Sequence, residues 1–269
     1  MTEQPTNESQ ASVILRLEAD PRDANRVVVT YGPSAADLSA ARTLLLHIAV
    51  VAEEGLHTGQ PCPPDLVARL QAGDEFQREY NRALNLLAVR PRSTAEVRDR
   101  LRRKQVAPDM IDAVIARLQR AQYLDDAEFA RYWIGERARS SPRGARLLRG
   151  ELRTKGVSPA LIEEALANFE AEAAAEHAAR QAAALTEDNE ADEPDLIAGA
   201  DSRELREALG LAQRKLRTYS NLDPVTFRRR MSGFLLRRGY GYDVVSRVLK
   251  HIEATTSGQW SMVSDQDEE

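Results

Sequence analysis

Apolar positions recur with helical spacing at three places along this chain. Met110, Ile111, Val114, Ile115 and Leu118 form the first set. Leu161, Ile162, Ala165, Leu166 and Phe169 form the second, and Val244, Val245, Val248, Leu249 and Ile252 the third. Each follows an i, i+1, i+4, i+5, i+8 pattern, which places five side chains on one face of an α-helix. An apolar pair precedes each set at one fixed spacing: Val97/Leu101, Leu148/Leu152 and Met231/Leu235. A basic end follows each pair, at Arg103-Lys104, Lys155 and Arg237-Arg238. Position 97 recurs at 148, an offset of 51 residues, and 148 recurs at 231, an offset of 83. A repeat of this kind implies stacked helical units that bury one face against each other and leave a long surface for a partner.

Start and stop signals set the helices within each copy. Ser93-Thr94-Ala95-Glu96 fits a capping box, and Asp125-Asp126-Ala127-Glu128 is an acidic analogue that also suits the helix dipole. Ser141-Pro142, Ser158-Pro159 and Asp223-Pro224 each place a cap residue before a proline at the first helical position. Gly156 and Gly239 fall where a left-handed residue ends a helix. These signals predict helices at about 75–89, 94–104 and 108–121 in copy one, and at 126–139, 142–155 and 159–172 in copy two. Copy three is predicted at about 203–218, 224–238 and 242–253.

The pattern before the repeats is different. Val13–Leu17 and Val27–Tyr31 are β-prone runs around the turn composition Asp20-Pro21-Arg22-Asp23, which predicts a hairpin. Leu44–Ile48 is short enough to be strand or helix; a strand followed by a short helix is the preferred reading. Pro61, Pro63 and Pro64 break the chain, and Asp65 opens a short helix to about Gln71. Between copies two and three, residues 171–185 are alanine-rich and extend the preceding helix. Thr186–Asp195 is acidic and free of aromatics, the composition of a flexible insertion.

The expected organisation is therefore a disordered arm at 1–11, a small α+β region at 12–73, and three-helix copies at 74–124, 125–172 and 203–254. A helix extension with the acidic insertion occupies 173–202, and an acidic tail 255–269. The fold class is mainly α, with three tandem three-helix repeats preceded by a small region containing a β-hairpin.

Composition agrees with a helix-rich globular chain: of 269 residues, 42% are hydrophobic, 29% charged and 5% aromatic. The single cysteine, Cys62, excludes an internal disulfide framework and suits a reducing compartment. The first ten residues lack a basic-plus-apolar leader, and no apolar run reaches the ~20 residues of a membrane helix. A cytoplasmic protein with no membrane partner is expected.

The net charge of −5 hides a partition. Residues 79–170 carry 18 basic and 13 acidic side chains, and residues 203–252 carry 12 and 4; residues 171–202 carry 1 and 9. The repeats are basic and their surroundings acidic, which suits a polyanionic partner or an acidic protein surface, though solvated helix faces would look the same.

Catalytic and cofactor signatures do not emerge. Neither a phosphate-binding GxxxxGK[ST] loop nor a strand-linked GxGxxG is present. His47, His57, His177 and His251 lie far apart, without HExxH or CxxC spacing. Asp125-Asp126 reads as capping rather than as a metal pair. Cys62, between two prolines, could be an exposed thiol, but no histidine is spaced to activate it. No enzyme activity, metal or cofactor is expected.

The candidate binding residues are the cations of the second helices: Arg98, Arg102, Arg103 and Lys104 in copy one, Arg149, Arg153 and Lys155 in copy two, and Arg237 and Arg238 in copy three. Arg98/Arg102 and Arg149/Arg153 are i, i+4 pairs beside the core stripe, so they stay exposed. Cations at a helix C-terminus favour the dipole by ~0.3–1 kcal/mol each without any partner. Their recurrence argues further, for one basic stripe fitted to a helical polyanion or a filament. Tyr123, Phe129, Tyr132 and Trp133, and likewise Phe234, Tyr240 and Tyr242, read as packing and helix-junction residues rather than as a stacking platform for bases.

At these residues the chain resembles the RecX family, bacterial regulators of the recombinase RecA. Arg90-Pro91-Arg92-Ser93-Thr94-Ala95-Glu96-Val97 through Leu101 is similar to that family's opening motif, and Tyr123-Leu124-Asp125-Asp126-Ala127-Glu128-Phe129-Ala130 to its most recognisable segment. Pro142-Arg143-Gly144 with Glu151–Val157, and Phe234–Asp243, resemble its second and third motifs. The resemblance covers about residues 79–252. It implies an elongated, curved, right-handed array that binds as a monomer in the groove of the RecA–DNA filament. It further implies inhibition of recombinase activity in recombination, repair and the SOS response, with weaker direct DNA affinity. Gln122, where the family commonly has glycine, and the acidic insertion depart from the pattern. A sequence-tolerant DNA-binding protein of tandem helical modules is the alternative, and a protein-interaction scaffold the third. The third helices open with Pro108-Asp109, Pro159-Ala160 and Tyr242-Asp243, a poor start for a helix that reads bases in a major groove.

Overall fold

The computed structural model describes residues 12–34, 38–184, 202–219 and 222–260. The arm at 1–11, nearly all of the acidic insertion and the end of the tail lie outside the described residues. The chain divides into two compact units, one made of Met1–Arg90 with Val97–Tyr123, the other of Pro91–Glu96 with Leu124–Glu269.

In the first unit, β1 (Val13–Asp20), β2 (Asp23–Gly32) and β3 (Arg42–His47) form an antiparallel sheet in that order. The hairpin and the third strand follow the sequence reading. Val27, Val29 and Tyr31 alternate inward along β2, and Val28 pairs with Leu45 and Val29 with Leu44. The inner face packs with Ile14, Leu46, Val50, Leu66 and Leu70. Helix α1 (Ile48–Glu53) follows β3 directly, with the His47 ring Nδ1 accepting from the Ala49 amide at 3.1 Å as its cap.

Helix α2 runs unbroken over Pro64–Val89. Two helices separated near residue 73 were expected; there is one. Gly73 does not end it. An added Cβ there would lie 3.2 Å from Val50 Cγ1, so the glycine serves close packing with α1. The next residue, the mostly buried Asp74, accepts from Arg26 Nη1 at 2.8 Å and from the His47 amide at 2.8 Å, tying α2 to the sheet. Cys62, considered as an exposed thiol, is buried in this core, and burial raises its pKa.

Copy one continues with α3 (Thr94–Arg102) and α4 (Pro108–Arg120). Val97 and Leu101 are fully buried, as are Ile111, Val114, Ile115 and Leu118. The second unit holds α5 (Asp126–Ser140), α6 (Ala145–Thr154), α7 (Pro159–Ala184), α8 (Arg203–Tyr219), α9 (Pro224–Arg237) and α10 (Tyr242–Trp260). Its two cores contain Leu148, Leu152, Ile162, Ala165 and Leu166 in copy two, and Met231, Leu235, Val244, Val245, Val248, Leu249 and Ile252 in copy three. The repeated stripes are thus the interior of each module.

The caps follow the sequence reading with one exception. Ser93 Oγ accepts from the Glu96 amide at 3.2 Å, Asp125 from Ala127 and Glu128, and Asp223 from Thr226. Ser141-Pro142, expected to open the middle helix of copy two, instead closes α5: the Ser141 amide donates to the Arg137 carbonyl. That helix begins after Gly144, because Gly144 is fixed from outside, its amide donating to the Arg238 carbonyl at 2.9 Å.

This contact has a counterpart. Ser93, the position equivalent to Gly144, donates its hydroxyl to the Lys155 carbonyl at 2.5 Å, and Lys155 is equivalent to Arg238. In both places the glycine after the carbonyl, Gly156 or Gly239, has φ of +78° or +87°. A Cβ on Gly156 would overlap Ala95, and one on Gly239 would overlap Leu147. The corner that ends one middle helix therefore seats against the start of the middle helix of the preceding copy. In copy one the equivalent residue is Gln105, exposed and with φ +61°. The left-handed turn persists there, but no close approach demands glycine. Gln122, a position at which the sequence departs from the pattern it resembles, likewise has φ +58° and donates its side-chain amide to the Gln119 carbonyl at 3.1 Å.

Gly156→Ala and Gly239→Ala should each destabilise the protein by roughly 2–4 kcal/mol, from left-handed strain plus overlap with the neighbouring copy. Gln105→Gly should change stability by less than about 1 kcal/mol. Urea unfolding of the three variants measures this; equal effects at 105 and 156 would contradict the docking account.

Candidate functional site

The second helices carry their cations on outward faces, and the structure sorts them into two groups. Arg98 Nη1 lies 2.5 Å from Asp112 Oδ1. At the equivalent positions of copy two, Arg149 forms a bidentate pair with Glu163 at 2.8 and 2.9 Å. That pair raises the Arg149 pKa and lowers that of Glu163, in each case chiefly through the shared hydrogen bond. These two arginines brace the second helix against the third within their own modules. Copy three uses another register for the same purpose, with Arg228 on Glu253.

Lys155 is also committed. Its Nζ lies 2.8 Å from Glu96 Oε1 and 4.6 Å from the centre of the Trp133 ring. Arg137 sits 4.4 Å from the same ring, and Glu151 accepts from Trp133 Nε1 at 2.8 Å and from Arg137 Nε at 3.0 Å. Arg143 also pairs with Glu151. Burial, then the nearby Arg137 and Arg238 charges, lower the Arg143 pKa. Trp133 is a cation-held packing residue, as expected, and Phe129 is buried beside it. Tyr123, Tyr132 and Tyr242, expected to pack, are instead exposed; Tyr242 retains 78% of its surface. Tyr240 is fully buried and Phe234 half-buried, as read.

The remaining expected cations stay at the surface. Arg102 is 70% exposed and pairs with Asp99 one turn back. Arg103, Lys104, Arg153 and Arg237 are exposed. Arg238 is half-buried, with its guanidinium 5.2 Å from the Phe234 ring centre. Arg98, Arg102, Arg103 and Lys104 belong to the first unit, and Arg149, Arg153, Lys155, Arg237 and Arg238 to the second. Sequence reading did not single out Arg214 and Lys215 on α8. They line a cleft of about 340 Å³ with Arg238, Phe234, Ser140, Ser141, Pro142, Leu211 and Thr218. No group of three or more His, Cys, Asp or Glu positioned to hold a metal occurs among the described residues. No helix among them is long and apolar enough to cross a membrane.

An acidic cluster sits where copies two and three meet. Glu204 Oε1 accepts from the Ala145 amide at 3.0 Å, and Arg203 pairs with Glu207 while lying 3.8 Å from the Phe169 ring centre. Burial pushes the Glu207 pKa up to about 7; Arg203 opposes the shift, and Glu170 and Glu204 add to it. Burial also raises the Tyr240 phenol, with the Glu207 and Glu204 charges adding to it.

Comparison with known proteins places these modules among relatives. Models of the first, second and third three-helix domains of RecX match residues 80–118, 125–166 and 202–249 in that order. "Regulatory protein RecX" of Bacillus subtilis (strain 168) is 30% identical over 187 residues, covering 70% of this chain and 60% of that protein. The protein of the same name from Geobacillus kaustophilus is 35% identical over 114 residues, 42% of either chain. The chain thus spans about 60% of the length of the Bacillus subtilis relative. A crystal structure of regulatory protein RecX superposes with a TM-score of 0.66 at 17% identity, covering 88% of this chain and 98% of the other. RecX from Lactobacillus salivarius gives 0.53 at 20% identity, covering 67% and 98%.

Glu207 binds its proton more tightly in the folded state than the unfolded value of 4.5 allows. The folded state then holds this proton between about pH 4.5 and 7, so the stability Glu207 contributes is fully present below that window and is lost as pH rises through it. Glu207→Gln, neutral at every pH, should flatten this part of the profile. Melting temperatures from pH 4.5 to 8 test it: a slope as steep in the variant as in the parent would remove Glu207 as its source.

Proposed function

The chain belongs to the RecX family, and from that premise we propose that it is a non-enzymatic cytoplasmic regulator. In this reading it binds the RecA–DNA filament as a monomer and inhibits recombinase activity in recombination, repair and the SOS response. The observation that carries the reading is the ordered match of all three RecX modules, combined with exposed cations at the ends of their middle helices. Arg102, Arg103, Lys104, Arg153 and Arg237 are the side chains proposed to meet the filament. Arg98, Arg149 and Lys155 are proposed to serve indirectly, because each is held by a carboxylate of its own unit. Arg238 is proposed to contribute through the cleft rather than the outer face.

The chemistry asked of such a surface is modest. Exposed guanidinium groups meet phosphates and acidic side chains at little desolvation cost, and several acting together release counterions from a polyanion. Base reading is not required, and the openings of the third helices do not favour it. A filament offers protein surface as well as phosphate. A regulator of this kind should therefore bind the filament more tightly than naked DNA.

Arg102→Glu, Arg153→Glu and Arg237→Glu together should abolish inhibition of RecA ATPase and strand exchange while the circular-dichroism spectrum stays helical. Parent affinity for the filament should exceed that for naked DNA by tenfold or more in one buffer, and should weaken as salt rises. Comparable affinity for the two would favour the sequence-tolerant DNA-binding protein instead.

A further inference from the structure

We propose that the cleft between the end of α5, α8 and α9 binds the phosphoryl group of a nucleotide, as a contact separate from the exposed cations. The proposal rests on the nucleic-acid contact in the reading above and extends it to a site inside the second unit. Its nine lining residues include three cations, Arg214, Lys215 and Arg238, and no carboxylate among the described residues. That is unusual in this molecule. Elsewhere in the unit, the half-buried guanidinium groups of Arg137, Arg143 and Arg203 are each met by a glutamate.

Two of the three cations are held together by a ring instead of an anion. Lys215 Nζ lies 5.7 Å and the Arg238 guanidinium 5.2 Å from the centre of Phe234. Cation–π attraction steadies both side chains without neutralising either. Arg238 Nη1 also reaches the Pro142 carbonyl at 3.5 Å. The cations are therefore held in place with no carboxylate among the lining residues, an arrangement that favours an incoming anion. The repulsion that Arg238 exerts on Arg143 is a second sign of that potential.

The remaining lining fits a phosphate carried on an organic group. The Ser141 and Thr218 hydroxyls can donate to phosphate oxygens, whereas Ser140 donates its hydroxyl to the Glu136 carbonyl at 2.8 Å and forms the rim. Leu211, Pro142 and Phe234 give apolar wall for a sugar or base edge. A space of about 340 Å³ exceeds the need of a bare phosphate and approaches that of a nucleotide. The phosphoryl group could be borne by a single strand of DNA or by a free nucleotide, and the chemistry is the same.

The test uses the full chain without recombinase. A fluorescein-labelled 12-mer of thymidylate is titrated at low salt, and ATP and pyrophosphate are added as competitors. Arg214→Glu with Thr218→Glu places carboxylates at two exposed positions, so folding should survive, as circular dichroism will show. Lys215→Gln is the milder companion. The double variant should weaken oligonucleotide binding at least tenfold and reduce the magnitude of the salt slope by about 1–2. Lys215→Gln should weaken it about threefold. Competition by ATP and pyrophosphate against the parent would mean that free phosphoryl groups suffice; binding of the oligonucleotide alone would mean that the strand-borne phosphodiester is the ligand. Unchanged affinity of both folded variants for all three probes would overturn the proposal. Because recombinase is absent, a failed filament reading would show in the ATPase assay while this measurement stands, and the reverse.

Discussion

The carbonyl groups of Lys155 and Arg238 hold the starts of the preceding modules, and the placement of helices in the second unit depends on them. Each lies one residue before a left-handed glycine, where a helix has run out of amide donors for its last carbonyls. The donors come from Ser93 and Gly144, whose own helices need something at their first turn. One contact thus satisfies two helix ends at once. It also fixes which residue is small. The corner must be glycine on one side, and on the other it meets Ser93 and Ala95 in one joint and Gly144 and Leu147 in the other. Burial of the apolar stripes supplies cohesion inside each module, but such burial is non-directional. Within the second unit, the register of the seated helix ends comes from the directional bonds and the steric fit around them.

That constraint shapes how charge is used. Lys155 presents its carbonyl to Ser93, and its ammonium reaches Glu96 three residues farther on. The side chain thereby leaves the outer surface and joins the Trp133–Glu151 cluster. Arg238, in the equivalent place, turns toward Phe234 and Pro142. A cation half removed from water needs a partner, and Lys155 finds a carboxylate where Arg238 finds a ring face and a carbonyl. At exposed positions even a close ion pair contributes only about 0.2–1 kcal/mol. The exposed arginines can accordingly exchange partners at little cost.

Much of this was legible in the chain. The stripes from Met110, Leu161 and Val244 mark the cores because burial imposes a 3.6-residue period that the sequence must carry. Ser93, Asp125 and Asp223 mark helix starts because capping is local chemistry. The N-terminal hairpin and third strand were visible for similar reasons. What escaped was non-local. Ser141-Pro142 has the composition of a helix start, yet Gly144 begins the helix because of a carbonyl 94 residues away. The gap left between Gln71 and residue 75 holds Gly73, whose contact with Val50 shows why the helix runs through it. Lys155 looks like a surface cation because Glu96 is 59 residues distant. Arg214 and Lys215 lie on a first helix, outside the repeated basic pattern, and only the approach of α5 and α9 makes a cleft of them. Local signals identify what a segment can do; which partner claims a side chain is decided by tertiary placement.

The two ends of the repeat series differ in kind. Gln105 occupies the corner of copy one and is exposed, whereas the position in copy three that corresponds to Ser93 and Gly144 is Phe227, buried in the core of its own module. Helix α9 starts one turn early, at Pro224, and fills the seat that a further corner would require. Copy three therefore offers no open seat of the kind that Ser93 and Gly144 provide. Copy two alone carries both halves of the joint, its Lys155 carbonyl seated on Ser93 and its Gly144 amide holding Arg238.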